Sequence, residues 1–525
     1  MTDELLTAVA NVHGTPTYVY DLDTVTARFR QVQDAFPGTR VHYAVKANAL
    51  GPLLAHLAAL GARAEALTAG ELARALRAGF APEHVVLGGP GHGVDLARWA
   101  GDVGVGLVSL DSVGAWRVWR SVEAPGTRFL VRLNPGFDPR THEHLATGAA
   151  ESKFGMPASE ALEVAREVAA TGKLAGFHVH AGSMISDAEV ARLVTEALEP
   201  HYADMPGLEL VDFGGGFAVP ATDLQAFGEP LLQFARRHEV TPIIEPGRFL
   251  VAESGVLLTR VLHVKEAGPR RHVIADAGMA DLLRPALYGA QHPVRVVGED
   301  GRQRGTVLGA DLDGPLCENA DRLARDVDLQ GVDHGALLAV GVAGAYGYAM
   351  ASNYASSLRP AQVVAADGSF SLAARREDPS DLWRLEAPVA GGLHALLDPG
   401  SDEVDTGGDA AGSSARAAVA GLLASMVTPV RAAAALINSA AENLRPRLGR
   451  LEDLTRAFSN ELYRPLLGVG PDAIADLDQR IADHGQVARA TVRTPAGDFL
   501  ISLTRERSAS GSWRVTGLAR DLPDA

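Results

Sequence analysis

Between residues 41 and 251 one pattern recurs eight times: a short apolar, β-rich run, then a longer stretch of helical periodicity. The first four runs are "VHYAVKA" (41–47), "RAEAL" (63–67), "HVVLGG" (84–89) and "VGLVSLD" (105–111). The second four are "RFLVRLN" (128–134), "GFHVHAG" (176–182), "LELVDFGGG" (208–216) and "TPIIEPGRFLV" (241–251). Near-continuous apolar runs are what parallel strands need when helices cover them. Eight such units within about 210 residues fit a closed (β/α)8 barrel better than an open sheet. Such a barrel carries its chemistry at the C-terminal ends of its strands. Lys46, Asn134, His180, the Gly214–Gly216 run and Glu245 all stand toward those ends.

After about residue 252 the period changes. "VLLTRVLHVKEA", "RHVIADAG", "HPVRVVGED", "GTVLGADLDG", "GALLAVGVAGAYG" and "AQVVAADGSFSLAARR" read as strands without long helices between them. That is an all-β second domain. We place the barrel at 25–260 and the β-domain at 1–24 together with 261–386. Residues 387–414 read as a flexible linker, since "DPGSDEVDTGGDAAGSS" (398–414) has no apolar period. Residues 415–525 begin helical and end in the alternation and turn signals of a β-meander, a small α+β domain. It loosely resembles the cone-shaped domains of the nuclear-transport-factor type. "PVRAAAALINSAAENL" (429–444) is a helix that either packs on its own sheet or binds a partner.

A chain of 525 residues exceeds what one hydrophobic core organises. The net charge of −16 argues against nucleic acid or an anionic membrane surface as a partner. No apolar run approaches the roughly 18 residues of a membrane span, and "MTDELLTAVANVHG" lacks the pattern of a secretory leader. With Cys317 as the single cysteine, no intrachain disulfide and no Cys-rich metal site is possible. A reduced, cytoplasmic setting follows as the expectation.

Among the 48 basic residues only four are lysines, and one of them, Lys46, interrupts an apolar strand run. A lysine there either snorkels to solvent or serves as a nucleophile toward a carbonyl, which a guanidinium does not do. Its neighbours decide between these. "DFGGGF" (212–217) follows a strand, so its glycines either make a tight turn or present N–H groups to a phosphate. Glu245 in "IIEPGRF" needs a partner, either Arg248 or the protonated ring nitrogen of a cofactor. His180 in "HVHAGS", with Ser183 behind it, is either structural or a flat face for a ring. An amine, phosphate donors, an imidazole and a carboxylate on one rim together match the demands of pyridoxal phosphate.

The chain resembles the alanine-racemase-like, fold type III decarboxylases that use pyridoxal phosphate. The matching stretches include "YAVKAN" (43–48), "GELARALRAG" (70–79), "THEHLATGAAESKFG" (141–155), "HVHAGS" (178–183), "DFGGGF" and "EPGR" (245–248). They continue through "RPALYGAQH" (284–292), "GPLCENAD" (314–321) and "AGAYGYAMASNY" (343–354), covering about residues 14–386. The 141–155 and 284–292 stretches point to the branch that decarboxylates meso-diaminopimelate to L-lysine, the last step of lysine biosynthesis. The resemblance implies that Lys46 holds the cofactor and His180 stacks on its ring. It assigns Ser183, Gly214, Gly215 and Gly216 to the phosphate, with Glu245, Gly247, Arg248 and Tyr346 completing the cofactor site. Arg248, Arg284, Tyr288, Glu318 and Tyr346 are implied substrate contacts, and Cys317 the proton donor. Cys317 and Glu318 would enter from a partner subunit, which implies a homodimer. The racemase branch carries arginine where this chain has Glu245, so the residue favours decarboxylation. The alternatives are a sister decarboxylase acting on ornithine, lysine or carboxynorspermidine, and a non-catalytic carrier of the cofactor. The chain departs from the family pattern at His92, Ala181, Met184, Ala280, Asn319 and Ala355, which bears on fine specificity.

Overall fold

The computed structural model describes residues 1–136, 152–219, 223–298, 309–329, 331–386 and three strands within 487–520. It divides into two units, Met1–Leu385 and Glu386–Ala525.

Strand β1 (Thr17–Asp21) precedes the barrel. The barrel strands are β2 (Arg40–Ala44), β3 (Arg63–Ala66), β4 (Val85–Leu87), β5 (Leu107–Leu110), β6 (Arg128–Arg132), β7 (Leu174–His178), β8 (Leu210–Asp212) and β9 (Thr241–Ile244). All pair in parallel, and β2 closes on β9 through Arg40 with Ile243 and Val41 with Ile244. Most of the strands end before their apolar runs do, and β6, β7 and β8 end on the polar residues Arg132, His178 and Asp212.

The two-residue period sorts the strand side chains. Val86, Leu107, Leu130, Ala175, Leu210 and Ile243, one from each of β4 to β9, form a buried cluster of their own. Tyr43, Val85, Val108, Val131, Phe177, Val211 and Ile244 pack instead in the main core with the helices. The intervening helices start at side-chain caps: Thr68 accepts from the Glu71 N–H, and Ser112 from that of Ala115. One helix departs from the sequence expectation. Only a single turn (Arg248–Val251) follows β9, and helix Leu22–Ala35, upstream of β2, packs against Gly51–Ala59 and Leu224–Arg237 in its place.

Strands β10 (Gly255–Ala267), β11 (Arg270–Ala275), β12 (Val294–Val296), β13 (Ala310–Asp313), β14 (Arg322–Val327), β15 (Leu337–Val340), β16 (Ala361–Ala366) and β17 (Ser369–Ala374) build the second sheet with β1. Its path is β14-β13-β11-β10-β1-β16-β17, with β15 joined to β10 and β12. The N-terminal strand is therefore central, antiparallel to β10 and parallel to β16. This sheet reaches the barrel mouth beyond β15, where the Tyr346 N–H donates to the Ala47 carbonyl at 2.8 Å. The Asn48 side chain returns a hydrogen bond to the Gly344 carbonyl at 3.0 Å.

In the second unit, β18 (Val487–Thr494), β19 (Gly497–Arg505) and β20 (Trp513–Arg520) form an antiparallel meander. The linker at 387–414, the helical stretch at 415–467 and the helix at 429–444 lie outside the described residues.

Tyr202 pins helix Glu189–Asp204 to the barrel: its hydroxyl donates to the Leu210 carbonyl at 2.6 Å and accepts the Phe177 N–H at 3.1 Å. Tyr202→Phe strands both backbone groups in a buried setting, at a cost of about 1–3 kcal/mol. The expected result is a lower apparent Tm in thermal unfolding, with ligand affinity at the barrel mouth unchanged.

Candidate active site

Strand β2 ends at Ala44, and a single 3-10 turn, Val45–Ala47, carries Lys46 onto the barrel mouth. Its Nζ lies 2.9 and 3.2 Å from the two carboxylate oxygens of Glu65 on β3. Glu65 is buried to 3% exposure while the lysine side chain keeps 32%, so the amine stays reachable from the mouth. Burial opposes the ammonium form, yet Glu65, Tyr346 and Glu245 outweigh it and hold the Lys46 pKa above its ordinary value.

Glu245 follows β9 directly and is buried. One carboxylate oxygen is 3.7 Å from His178 Nε2; the other, Oε1, has no hydrogen-bond partner. The salt bridge to Arg248 left open by the sequence is not formed: Arg248 donates to Ser183 Oγ at 3.3 Å and lies over the Tyr346 ring at 4.8 Å. Burial, then Asp212 and Glu65, push Glu245 well above the usual carboxylate range, against the pull of Lys46 and Arg132. Asp212, at the end of β8, is pushed up chiefly by burial too. Asp212 thus disfavours the charged form of Glu245.

The imidazoles beside them are neutral. Burial first and then Arg132 drive both His178 and His180 well below the ordinary histidine pKa. His178 Nδ1 lies 2.6 Å from Ser109 Oγ. His180 Nδ1 accepts the Gly215 N–H at 3.0 Å, which leaves the ring proton on Nε2. Arg132 is held in turn by Asp111 at 2.6 Å, both buried.

The glycine loop approaches this histidine closely. Gly214 has φ of 65°, and a Cβ there would sit 2.5 Å from His180 Nδ1, so no side chain fits. Its N–H donates to Asp212 at 2.8 Å. With Gly214 and Gly215 thus engaged, the Gly216 N–H is the uncommitted donor of the three among the described hydrogen bonds. Gly247 is the N-cap residue of the turn that carries Arg248.

Arg284 and Tyr288 open and close the short helix Arg284–Tyr288. Arg284 is 3.4 Å from His292 Nε2, and its pKa is lowered to about 10 by burial and by Arg248. Arg248 is 8% exposed with a buried, unpartnered Nε. Among the described residues neither arginine makes an ion pair, so two guanidiniums share one rim with a deficit of negative charge.

Lys46, His180, Ser183, Gly214–Gly216, Glu245, Arg248 and Tyr346 thus come together, with Arg284 and Tyr288 beside them. Cys317 and Glu318 do not join them within one chain. Both are exposed on the loop between β13 and β14, where Glu318 accepts from the Tyr354 hydroxyl at 2.7 Å. Sequence reasoning missed Glu65, His178 and Asp212. A lone carboxylate in "RAEAL" and a second histidine two residues before His180, hence on the same strand face, were the available signals. His92 is a satisfied buried histidine, bonded to the Gly88 carbonyl and to the Trp119 indole N–H.

Residues 22–252 match the family described as pyridoxal-dependent decarboxylase, pyridoxal binding domain. The diaminopimelate decarboxylase of Deinococcus radiodurans is 39% identical over 71% of this chain and 96% of its own length. That of Helicobacter pylori (strain J99) is 34% identical over 71% and 96%. A crystal structure of the Helicobacter pylori enzyme complexed with L-lysine superposes with a TM-score of 0.67 at 32% identity, covering 73% of this chain and 99% of that one.

The chain belongs to the diaminopimelate decarboxylase family. The family's cofactor is pyridoxal phosphate, and the mouth fits it: a reachable amine, a buried carboxylate oxygen without a partner, and a glycine loop without room for a side chain. The family model covers residues 22–252, and the matches to these relatives extend over 71–73% of the chain. No helix among the described residues is long and apolar enough to cross a membrane.

Glu65 supplies the charge that keeps Lys46 protonated. Glu65→Gln removes the largest of the effects that oppose burial, so the Lys46 pKa falls. The pH midpoint for uptake of pyridoxal phosphate by the cofactor-free protein is expected to move to lower pH, followed by absorbance after mixing. An unshifted midpoint would show that Glu65 does not set the state of the amine.

Proposed function

We propose that this protein releases CO2 from meso-diaminopimelate to form L-lysine, with pyridoxal phosphate as cofactor. The observation that carries the reading is the convergence of Lys46, the unpartnered Glu245 oxygen and the arginine pair on one barrel mouth. When bound, the cofactor supplies an electron sink for the pair left behind by departing CO2.

The chain's own residues then divide the work. Lys46 Nζ is the amine that holds the cofactor's aldehyde carbon, and a guanidinium would not serve. Glu245 offers its free oxygen to the ring nitrogen, where a carboxylate would hold a proton. His180, its tautomer fixed by the Gly215 N–H, presents a neutral face to the ring. The Gly216 N–H and Ser183 Oγ serve the phosphate, with Gly247 and Tyr346 at its side. Arg248 and Arg284 grip a substrate carboxylate bidentately, flanked by Tyr288 and Tyr346. Glu318 takes the distal ammonium, and Cys317 Sγ delivers the proton that replaces CO2.

Because Cys317 and Glu318 lie apart from Lys46 in one chain, we assign them to the site of a second copy in a homodimer. A reduced cytoplasmic compartment suits Cys317, which is a free thiol. The domain limits given above and the separate role of residues 415–525 belong to the same reading.

The test is release of CO2 and lysine from meso-diaminopimelate with added pyridoxal phosphate. Faster turnover of ornithine, lysine or carboxynorspermidine would reassign the substrate. Lys46→Ala is expected to reduce turnover to background. Mixing inactive Lys46→Ala with inactive Cys317→Ala should restore part of the activity, since exchanged dimers hold one intact site. Absence of recovery despite measured subunit exchange would remove the shared-site assignment.

A further inference from the structure

Cys317 and Glu318 ride on a loop without regular secondary structure, between β13 and β14, and most of its residues are exposed. A residue that delivers a proton and one that holds an ammonium need fixed positions. The loop has no apolar anchor large enough to fix them. Its one buried charged residue is Asp321, at 2% exposure.

All the hydrogen-bonding capacity of Asp321 is directed into two segments. Its Oδ1 accepts the Met279 N–H at 2.5 Å, and its Oδ2 accepts the Leu316 N–H at 2.6 Å, the residue just before Cys317. Its main chain closes the loop on itself: the Asp321 N–H donates to the Glu318 carbonyl at 3.0 Å, and its carbonyl accepts the Gly314 N–H at 2.8 Å. The chain makes room for the carboxylate, since a Cβ on Gly314 would stand 2.3 Å from Oδ1. Met279, at the other end of this link, belongs to the segment that runs from β11 into helix Arg284–Tyr288.

We propose that Asp321 is a positioning residue that ties the Cys317–Glu318 loop to the segment leading to Arg284 and Tyr288. Through this one buried carboxylate the loop offered to a second copy's site is braced against the segment that carries this chain's own carboxylate grip. Asp321 itself touches no substrate. Two short bonds from neutral N–H groups to one anion belong to the stronger class of hydrogen bond, which suits a clamp on an exposed loop. The inference rests on the roles proposed above for Cys317 and Glu318.

The test uses the full-length holoenzyme with Asp321→Asn. The amide keeps one acceptor but turns its NH2 toward a backbone donor, so one of the two ties is lost. Cys317 is the chain's only cysteine, so its reaction with an aromatic disulfide reagent reports this loop alone. The expected result is a roughly tenfold faster reaction of the thiol. A lower kcat and a higher KM for diaminopimelate should accompany it, with bound cofactor and its absorbance unchanged. Gly314→Ala, which presses a methyl on the same carboxylate, should move all three readouts in the same direction, and it carries the test if Asp321→Asn does not fold. Unchanged thiol reactivity in both variants overturns the proposal. Faster thiol reaction with kcat and KM unchanged upholds the tie and instead overturns the roles given to Cys317 and Glu318.

Discussion

Pairing of β2 with β9 is the constraint on which the rest of this molecule depends, because it joins the first strand of the barrel to the last. Beyond the paired residues the two chains stay in register: the Ala44 N–H donates to the Pro246 carbonyl at 3.3 Å. Lys46 and Glu245, which each follow these strands within two residues, are thereby neighbours on one rim. On an open sheet they would stand at opposite edges. Closing so long a loop carries an entropy cost that grows only with the logarithm of its length, and burial of both faces of the strands offsets it.

Closure also concentrates charge in an apolar mouth, and the structure handles each charge differently. Lys46 is neutralised by Glu65, and Arg132 by Asp111. The two histidines simply stay uncharged. Lys46 and Arg132 only partly offset the burial of Glu245 and Asp212, and one oxygen of Glu245 is left without a hydrogen-bond partner. Arg248 and Arg284 remain unpaired among the described residues. These deficits are what ligands correct: a ring nitrogen answers the first and a carboxylate the second.

Much of the fold was legible because the barrel strands are apolar on both faces and separated by helices of ordinary length. Strand ends were less so, since an apolar run does not say where the chain leaves the sheet. Strand β14, "RLARDV", escaped notice because it is a polar edge strand with a single neighbour. The role of helix Leu22–Ala35 was hidden as well. It completes a ring begun by helices that come later in the chain, and no local pattern records that. Within the site, Lys46, His180 and Glu245 stood out as polar residues ending apolar runs. Glu65 and Asp212 did not, because a carboxylate inside a strand looks the same whether it faces solvent or a lysine.

The sequence by itself determined the barrel, the second sheet and the set of chemical groups available, since residue type and period are local properties of the chain. Family resemblance added roles to those groups without showing their contacts. Only the tertiary structure decided which groups meet. The Glu65–Lys46 pair, the mutual influence of Asp212 and Glu245, and the Asp321 link between two loops all join residues far apart in the chain. Their charge states follow from burial and from neighbours across strands, which no single segment contains.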